Sequence, residues 1–265
     1  MHPSENYLDV NRELWNNKTQ FHLQSDFYGV KEFKQGTTSL KSIELAQLGE
    51  VSGKTLLHLQ CHFGLDTLSW ARLGAQVTGI DFSEEAIQAA QKLAQEVNLE
   101  ARFIQSNVYD LKLQEQFDIV FTSYGVIGWL PDLDKWAQVV AAHLKPGGAF
   151  HFIEFHPVVW MFDNDFQYIQ YSYFNREDII EDVHGSYADR SAPIVGKSIS
   201  WNHSLDEVLG ALLRVGLRIE HFAEYDYSPH DSFPNAVKIA EGKWQIKGLE
   251  GKIPMVYALK AVKHN

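Results

Sequence analysis

The residues that could do chemistry stand where apolar runs end. Asp81 closes the run Gln76-Val77-Thr78-Gly79-Ile80, and its two carboxylate oxygens could accept from a vicinal diol such as ribose. Asp81 also precedes Ser83 closely enough to act as a helix cap instead. After an earlier run, Thr55-Leu56-Leu57-His58-Leu59, the loop Gln60-Cys61-His62-Phe63-Gly64 leads through Leu65-Asp66-Thr67 into an expected helix. For proton transfer the candidates are His156, in Glu154-Phe155-His156-Pro157, and His203, in Trp201-Asn202-His203-Ser204. An imidazole titrates near neutrality and suits a general base, although with twelve histidines in the chain either ring is as well explained as a structural one. Tyr124, Glu154 and Trp160 stand behind these two.

The Gln60–Gly64 loop discriminates between ligands. A dinucleotide needs several glycines so that the backbone can approach its pyrophosphate at a helix N-terminus. This loop keeps only Gly64 and carries the bulky Gln60 and His62. A nucleoside cofactor without phosphate, such as S-adenosylmethionine, tolerates such crowding, but a plain strand-to-helix turn would look the same.

These loops need a scaffold of alternating elements. The pattern predicts a helix over residues 6–22 and another over 39–48, then a strand over 55–59, a helix over 65–73 and a strand over 76–80. Ser83, followed by Glu84 and Glu85, opens a further helix, because a hydroxyl and acidic charge satisfy the exposed N–H groups of its first turn. Strands over 101–105 and 117–121, a helix over 132–144 and a strand over 149–155 continue the alternation; a helix over 204–215 and strands over 217–225 and 255–262 end it. Such alternation implies an α/β fold, a mostly parallel sheet with helices on both faces. Between Pro157 and Ser200 the pattern lapses, yet Trp160, Phe162, Phe166, Tyr168, Tyr171, Tyr173 and Phe174 make this stretch too aromatic for a solvated linker. It reads as a cap inserted at about 157–200.

Composition narrows the partners. A net charge of −11 with no compensating basic run disfavours nucleic acid and anionic lipid surfaces. The lone Cys61 rules out an intramolecular disulfide and a thiolate zinc site, so no metal is expected and a reducing cytoplasm fits. The first residues lack the charged start and apolar run of a secretory signal, and no apolar stretch approaches the ~20 residues that span a bilayer.

Taken together, the segments Leu56-Leu57-His58-Leu59-Gln60-Cys61-His62-Phe63-Gly64, Gly79-Ile80-Asp81-Phe82-Ser83 and Leu144-Lys145-Pro146-Gly147-Gly148-Ala149-Phe150 resemble the class I S-adenosylmethionine-dependent methyltransferases. The loop LQCHFGLDTL is similar to that of a bacterial subgroup acting on small molecules. The resemblance covers about residues 50–155 and continues weakly to the last strand. It implies a Rossmann-like, seven-stranded, mostly parallel sheet whose last strand, residues 255–262, runs antiparallel. Residues 1–50 would then be a helical N-terminal extension or lid, and 51–265 the methyltransferase domain.

The resemblance also implies site roles. Gln60, Cys61, His62, Phe63 and Gly64, continuing into Asp66 and Thr67, would line the methionine moiety of S-adenosyl-L-methionine. Asp81 would hold the ribose with Phe82 beside the adenine; Asn107 and Val108 would recognise the adenine; Ser123, Tyr124 and Gly125 would line the floor. The chain departs from the family at Gln60 and His62, where glycine is usual, and at Asn107, where an acid is common and a turn role is the plainer alternative.

Methyl transfer from a sulfonium chiefly demands alignment, with a base needed only for an acceptor that must lose a proton. After the fourth strand the chain reads Ser123-Tyr124-Gly125-Val126 rather than the Asn/Asp-Pro-Pro-aromatic motif of base methylases, so a small-molecule acceptor is expected, apolar or aromatic in view of the cap. The alternatives are an NAD(P)-dependent Rossmann oxidoreductase and a non-catalytic S-adenosylmethionine-binding protein.

Overall fold

The computed structural model describes residues 6–264; residues 1–5 of the expected N-terminal extension and residue 265 of the expected domain lie outside the described residues. At the centre, β1 (Thr55–Leu59) is flanked by β2 (Gln76–Asp81) and β3 (Arg102–Gln105) on one side. On its other side lie β4 (Phe117–Ser123), β5 (Leu144–Phe155), β11 (Val256–Lys263) and β8 (Leu217–Tyr225). The seven-stranded order is β3-β2-β1-β4-β5-β11-β8, parallel except for β11, which pairs antiparallel with both β5 and β8. This is the expected Rossmann-like sheet with its antiparallel last strand.

Helices close both faces. On one face α6 (Leu133–His143) and α7 (Leu205–Arg214) bury Trp136, Val140 and Leu212 against Phe150, Phe152 and Tyr257. On the other, α3 (Ser42–Leu48) and α4 (Leu65–Arg72) cover Phe121 and Ile153 with Ile43 and Trp70. Local capping starts these helices where the sequence predicts: Ser83 Oγ accepts from Ala86 N at 3.0 Å to open α5 (Glu84–Glu96), and Asp132 and Ser204 cap α6 and α7 in the same way.

Some elements were not legible. α2 (Val30–Lys34) is a single turn and a half, too short to show a period. β5 starts at Leu144 rather than at residue 149, because Leu144 already pairs with Phe117, and the Lys145-Pro146-Gly147-Gly148 segment bulges out of the ladder before Ala149 pairs with Ile119. Residues 157–200 contain a hairpin of β6 (Ile179–His184) and β7 (Val195–Ser200), and a second hairpin, β9 (Ala236–Ala240) with β10 (Lys243–Ile246), follows β8.

The N-terminal α1 (Tyr7–His22) bridges the β6–β7 hairpin and the start of α5. Asn11 pairs with the backbone of Ile199 on β7, donating at 2.8 Å and accepting at 3.0 Å. Ser83 Oγ donates to Asn16 Oδ1 at 2.6 Å, tying α1 to the start of α5. Among the described residues no helix is long and apolar enough to cross a membrane.

Candidate functional site

The carboxyl ends of β1, β2, β4 and β5 open into a cavity of about 890 Å³, near the upper end of the ~300–1,000 Å³ usual for ligand pockets. Every residue from Gln60 to Asp66 lines it, as do Asp81, Phe82, Asn107, Val108, Ser123, Tyr124 and Gly125. Thr67 is the exception and corrects the expectation. Helical rotation turns it inward, where it is fully buried with its hydroxyl 2.8 Å from His58 Nδ1.

The loop after β1 keeps a glycine-like backbone without the glycines. Gln60 and His62 have φ of 56° and 51°, in the left-handed region that costs a side-chain-bearing residue ~1–2 kcal/mol. Specific contacts offset that cost. Gln60 Nε2 donates to Val126 O at 2.9 Å, leaving its Oε1 without a protein partner. The His62 ring lies 2.9 Å from His22 Nδ1, and His22 Nε2 lies 2.6 Å from Ser186 Oγ. Burial pushes His22 down to about 3 and His62 well below its ordinary range, so both rings are neutral. At Gly64 (φ 79°) and at Gly79, a Cβ would fall within 3 Å of the Phe103 ring, which explains why glycine persists there.

Asp81 joins this loop to the next. Its Oδ2 accepts from His62 N and its Oδ1 from Ser83 N, each at 2.9 Å. Burial pushes the carboxyl up to about 6 although both N–H groups favour the charged form. Each oxygen still has lone-pair capacity towards the cavity. Asn107 takes the plainer of its expected roles: its Oδ1 caps Tyr109 N at 3.2 Å in the turn after β3, which leaves its amide N–H groups, rather than its oxygen, at the cavity wall.

Below them, Glu154 shapes the loop after β4. Its carboxylate accepts from Gly125 N, from Val126 N at 2.8 Å, from Ile127 N at 3.3 Å and from Phe155 N at 2.6 Å. Tyr124 (φ 42°) and Gly125 (φ 73°) turn under that hold. The Tyr124 hydroxyl is buried beside Glu44 and Asp66 without a well-formed hydrogen bond; burial first, then those acids, raise its pKa. Burial likewise raises Glu44 to about 7.

The two histidines singled out as bases do not reach the cavity. His156 Nδ1 accepts from Val158 N at 3.2 Å, and its Nε2 lies 2.9 Å from Glu224 Oε1. His203 is held between Leu130 O at 2.8 Å and Glu207 Oε1 at 3.0 Å. Neither ring lines the cavity, because each follows its strand or opens its helix pointing into the packed layer. The cavity is instead met by His230, whose ring packs on Tyr124 at 5.0 Å and Phe27 at 5.8 Å and takes no protein hydrogen bond among the described residues. Burial holds it neutral, with a pKa near 3. Its signal was available: β8 runs parallel to β5, so the loop after β8 opens on the same side.

Residues 57–150 match a family described as a methyltransferase domain. The chain is similar to a ubiquinone biosynthesis O-methyltransferase of Nitrobacter winogradskyi, 36% identical over 98 residues, covering 37% of each chain. The corresponding protein of Salmonella typhimurium is 34% identical over 106 residues, 39% of this chain and 43% of that one. The matched region thus spans less than half the length of these curated relatives. Among solved structures, a putative S-adenosylmethionine-dependent methyltransferase of Listeria monocytogenes superposes with a TM-score of 0.59 at 20% identity, over 84% of this chain and 97% of that one. A similar protein of Mesorhizobium loti gives 0.56 at 21%, over 87% and 100%. The resemblance to the class I methyltransferases read from the three motifs therefore holds for the fold.

Proposed function

We propose that this chain, built on the class I methyltransferase fold, binds S-adenosyl-L-methionine in the 890 Å³ cavity and methylates a small-molecule acceptor there. One observation carries the reading: Asp81, the left-handed loop at Gln60–Gly64 and Asn107 line one wall of a cavity with room left for a second ligand. The wall fits that cofactor. Asp81 retains lone pairs for a ribose diol, Gln60 Oε1 lacks a protein partner, and the loop's side chains occupy the approach that a pyrophosphate would need.

When bound, the cofactor supplies an electrophilic methyl group on a positively charged sulfur. The protein's part is alignment. Asp81 holds the ribose, Phe82 and Val108 border the adenine, and Asn107 donates to a ring nitrogen. Ser123, Tyr124 and Gly125, fixed by Glu154, set the floor on which donor and acceptor meet. His230 orients a hydroxyl acceptor by accepting its hydrogen bond; its ring is neutral and has no competing protein partner among the described residues, and burial keeps it too weak a base to hold the proton. Phe155, in edge contact with Trp160 and Phe233 beside Tyr124, favours with them an acceptor with an apolar or aromatic body. Residues 6–50 and 157–200 act as lids, with α1, β6 and β7 supplying cavity wall, and the buried single thiol of Cys61 suits a cytoplasmic enzyme.

The test is mass spectrometry of the purified protein for bound S-adenosylmethionine or S-adenosylhomocysteine, with calorimetry against both and against NAD. Micromolar binding of the first pair and none of NAD is expected. Binding of NAD alone would favour the oxidoreductase, and cofactor binding without turnover across a panel of phenols and alcohols would leave a non-catalytic binder.

A further inference from the structure

Lys18 lies on the same face of α1 as Asn11, Trp15 and His22, and that face borders the cavity. It is only 6% exposed. Among the described residues no carboxylate and no hydrogen-bond acceptor reaches its ammonium; its contacts are the rings of Trp15 and Trp129, 5.0 and 5.8 Å from centroid to Nζ. A buried charge without a partner is costly, and two aromatic faces recover only part of its lost hydration. α1 is nevertheless pinned in place by Asn11 and Asn16, so the lysine cannot escape by undocking its helix without breaking those bonds.

The neighbours leave the charge unanswered. His22 and His62 are held neutral, and the positive charge of Lys18 is itself one of the causes. The other cations on the cavity wall are differently placed: Lys41 acts on Asp66, and Arg190 donates to Phe233 O at 3.0 Å. Burial lowers the Lys18 pKa to about 8, and an anionic group on a ligand would answer the charge that remains. The S-adenosyl cofactor carries one anionic group, the carboxylate of its amino-acid end, and Lys18 stands beside His62 in the loop assigned to that end.

We propose that Lys18 is the counter-charge for the carboxylate of the bound S-adenosyl cofactor, so that α1 completes the cofactor site rather than merely covering it. The proposal rests on the cofactor reading above. It also explains why α1 needs firm anchoring: an ammonium held at a fixed place inside the cavity selects a zwitterionic ligand end, whereas a loosely tethered lysine would remain hydrated.

The experiment compares S-adenosylhomocysteine with 5′-methylthioadenosine, which keeps the adenosine and sulfur but lacks the amino-acid end, by calorimetry on the wild type, K18R and K18M. K18M should lose roughly ten- to a hundredfold in affinity for S-adenosylhomocysteine, as expected for a charged hydrogen bond, with 5′-methylthioadenosine changed less than about twofold. K18R should retain most of the affinity. Without ligand, K18M should melt at or above the wild-type temperature, because an unpaired buried charge has been removed. Wild-type affinity of K18M for S-adenosylhomocysteine would overturn the proposal and leave Lys18 to an acceptor. An equal loss for both ligands, or a lowered melting temperature without ligand, would overturn it in favour of a structural role. Failure of the wild type itself to bind either ligand would instead count against the cofactor reading.

Discussion

Asp81 accepts the backbone N–H of His62 at 2.9 Å, so the acid that ends β2 and the loop that follows β1 form one unit. The same carboxylate accepts Ser83 N at 2.9 Å, which ties the start of α5 to both. A ligand held by Asp81 therefore meets a surface whose pieces cannot move independently.

Replacing Asp81 by Ala should lower S-adenosylhomocysteine affinity about tenfold or more, since hydrogen bonds to a charged group contribute ~1.5–3 kcal/mol each. D81N keeps an acceptor oxygen and should lose less. Calorimetry on both, with circular dichroism to verify folding, checks this; wild-type affinity in D81A would remove the ribose role.

Ligand affinity should fall as pH drops through about 6, where the Asp81 carboxyl protonates. The stability of the unliganded chain responds with the opposite sign. A carboxyl raised from 3.8 to about 6 by burial favours the protonated folded state, so that contribution is full below 3.8 and is lost as pH rises through about 6. In D81N both dependences should flatten, which calorimetry and thermal melts between pH 5 and 8 would reveal.

With an identified hydroxyl acceptor, H230A should lower kcat roughly tenfold, as expected for one lost hydrogen bond that orients the acceptor, at nearly unchanged cofactor affinity. H156A and H203A should retain turnover while losing about 1–3 kcal/mol of stability through the partners they leave unpaired. Full activity in H230A would remove His230 from the alignment of the acceptor.

Glu154 receives four backbone N–H groups, and its conversion to Gln would set an amide donor against some of them. E154Q should cost about 2–4 kcal/mol in urea unfolding. Hydrogen exchange should speed up at residues 125–127, and an unchanged exchange rate there would show that the loop holds its turn unaided.

Asn11→Ala leaves the N–H and carbonyl of Ile199 without their side-chain partner and should cost about 2–4 kcal/mol. Faster exchange is expected in α1 and β7 together. Loosening of α1 alone would mean that the hairpin is held by other contacts.

Much of this was legible in the residue order. The parallel core strands are continuous apolar runs bounded by turn residues, and Ser83, Asp132 and Ser204 mark helix starts because capping is a local interaction over three residues. Asp81 could be placed because the end of a strand fixes which loop a residue joins. The lapse after Pro157 was visible, but the β6–β7 hairpin within it was not: its strands are half exposed, their apolar and polar residues do not follow the alternating exposure, and they owe part of their order to α1.

The sequence by itself thus determined the strand-helix order, the acid at the end of β2 and the crowded loop that disfavours a pyrophosphate. Only the tertiary structure decided which side chains face the cavity. His156 and His203 sit beside the right loops but turn into the packed layer, whereas His230 and Lys18 reach the cavity from a later loop and from the N-terminal helix. The physical reason is that side-chain direction at a strand end or on a helix depends on pleat, rotation and partners distant in sequence, as when Asn11 docks on Ile199 across 188 residues.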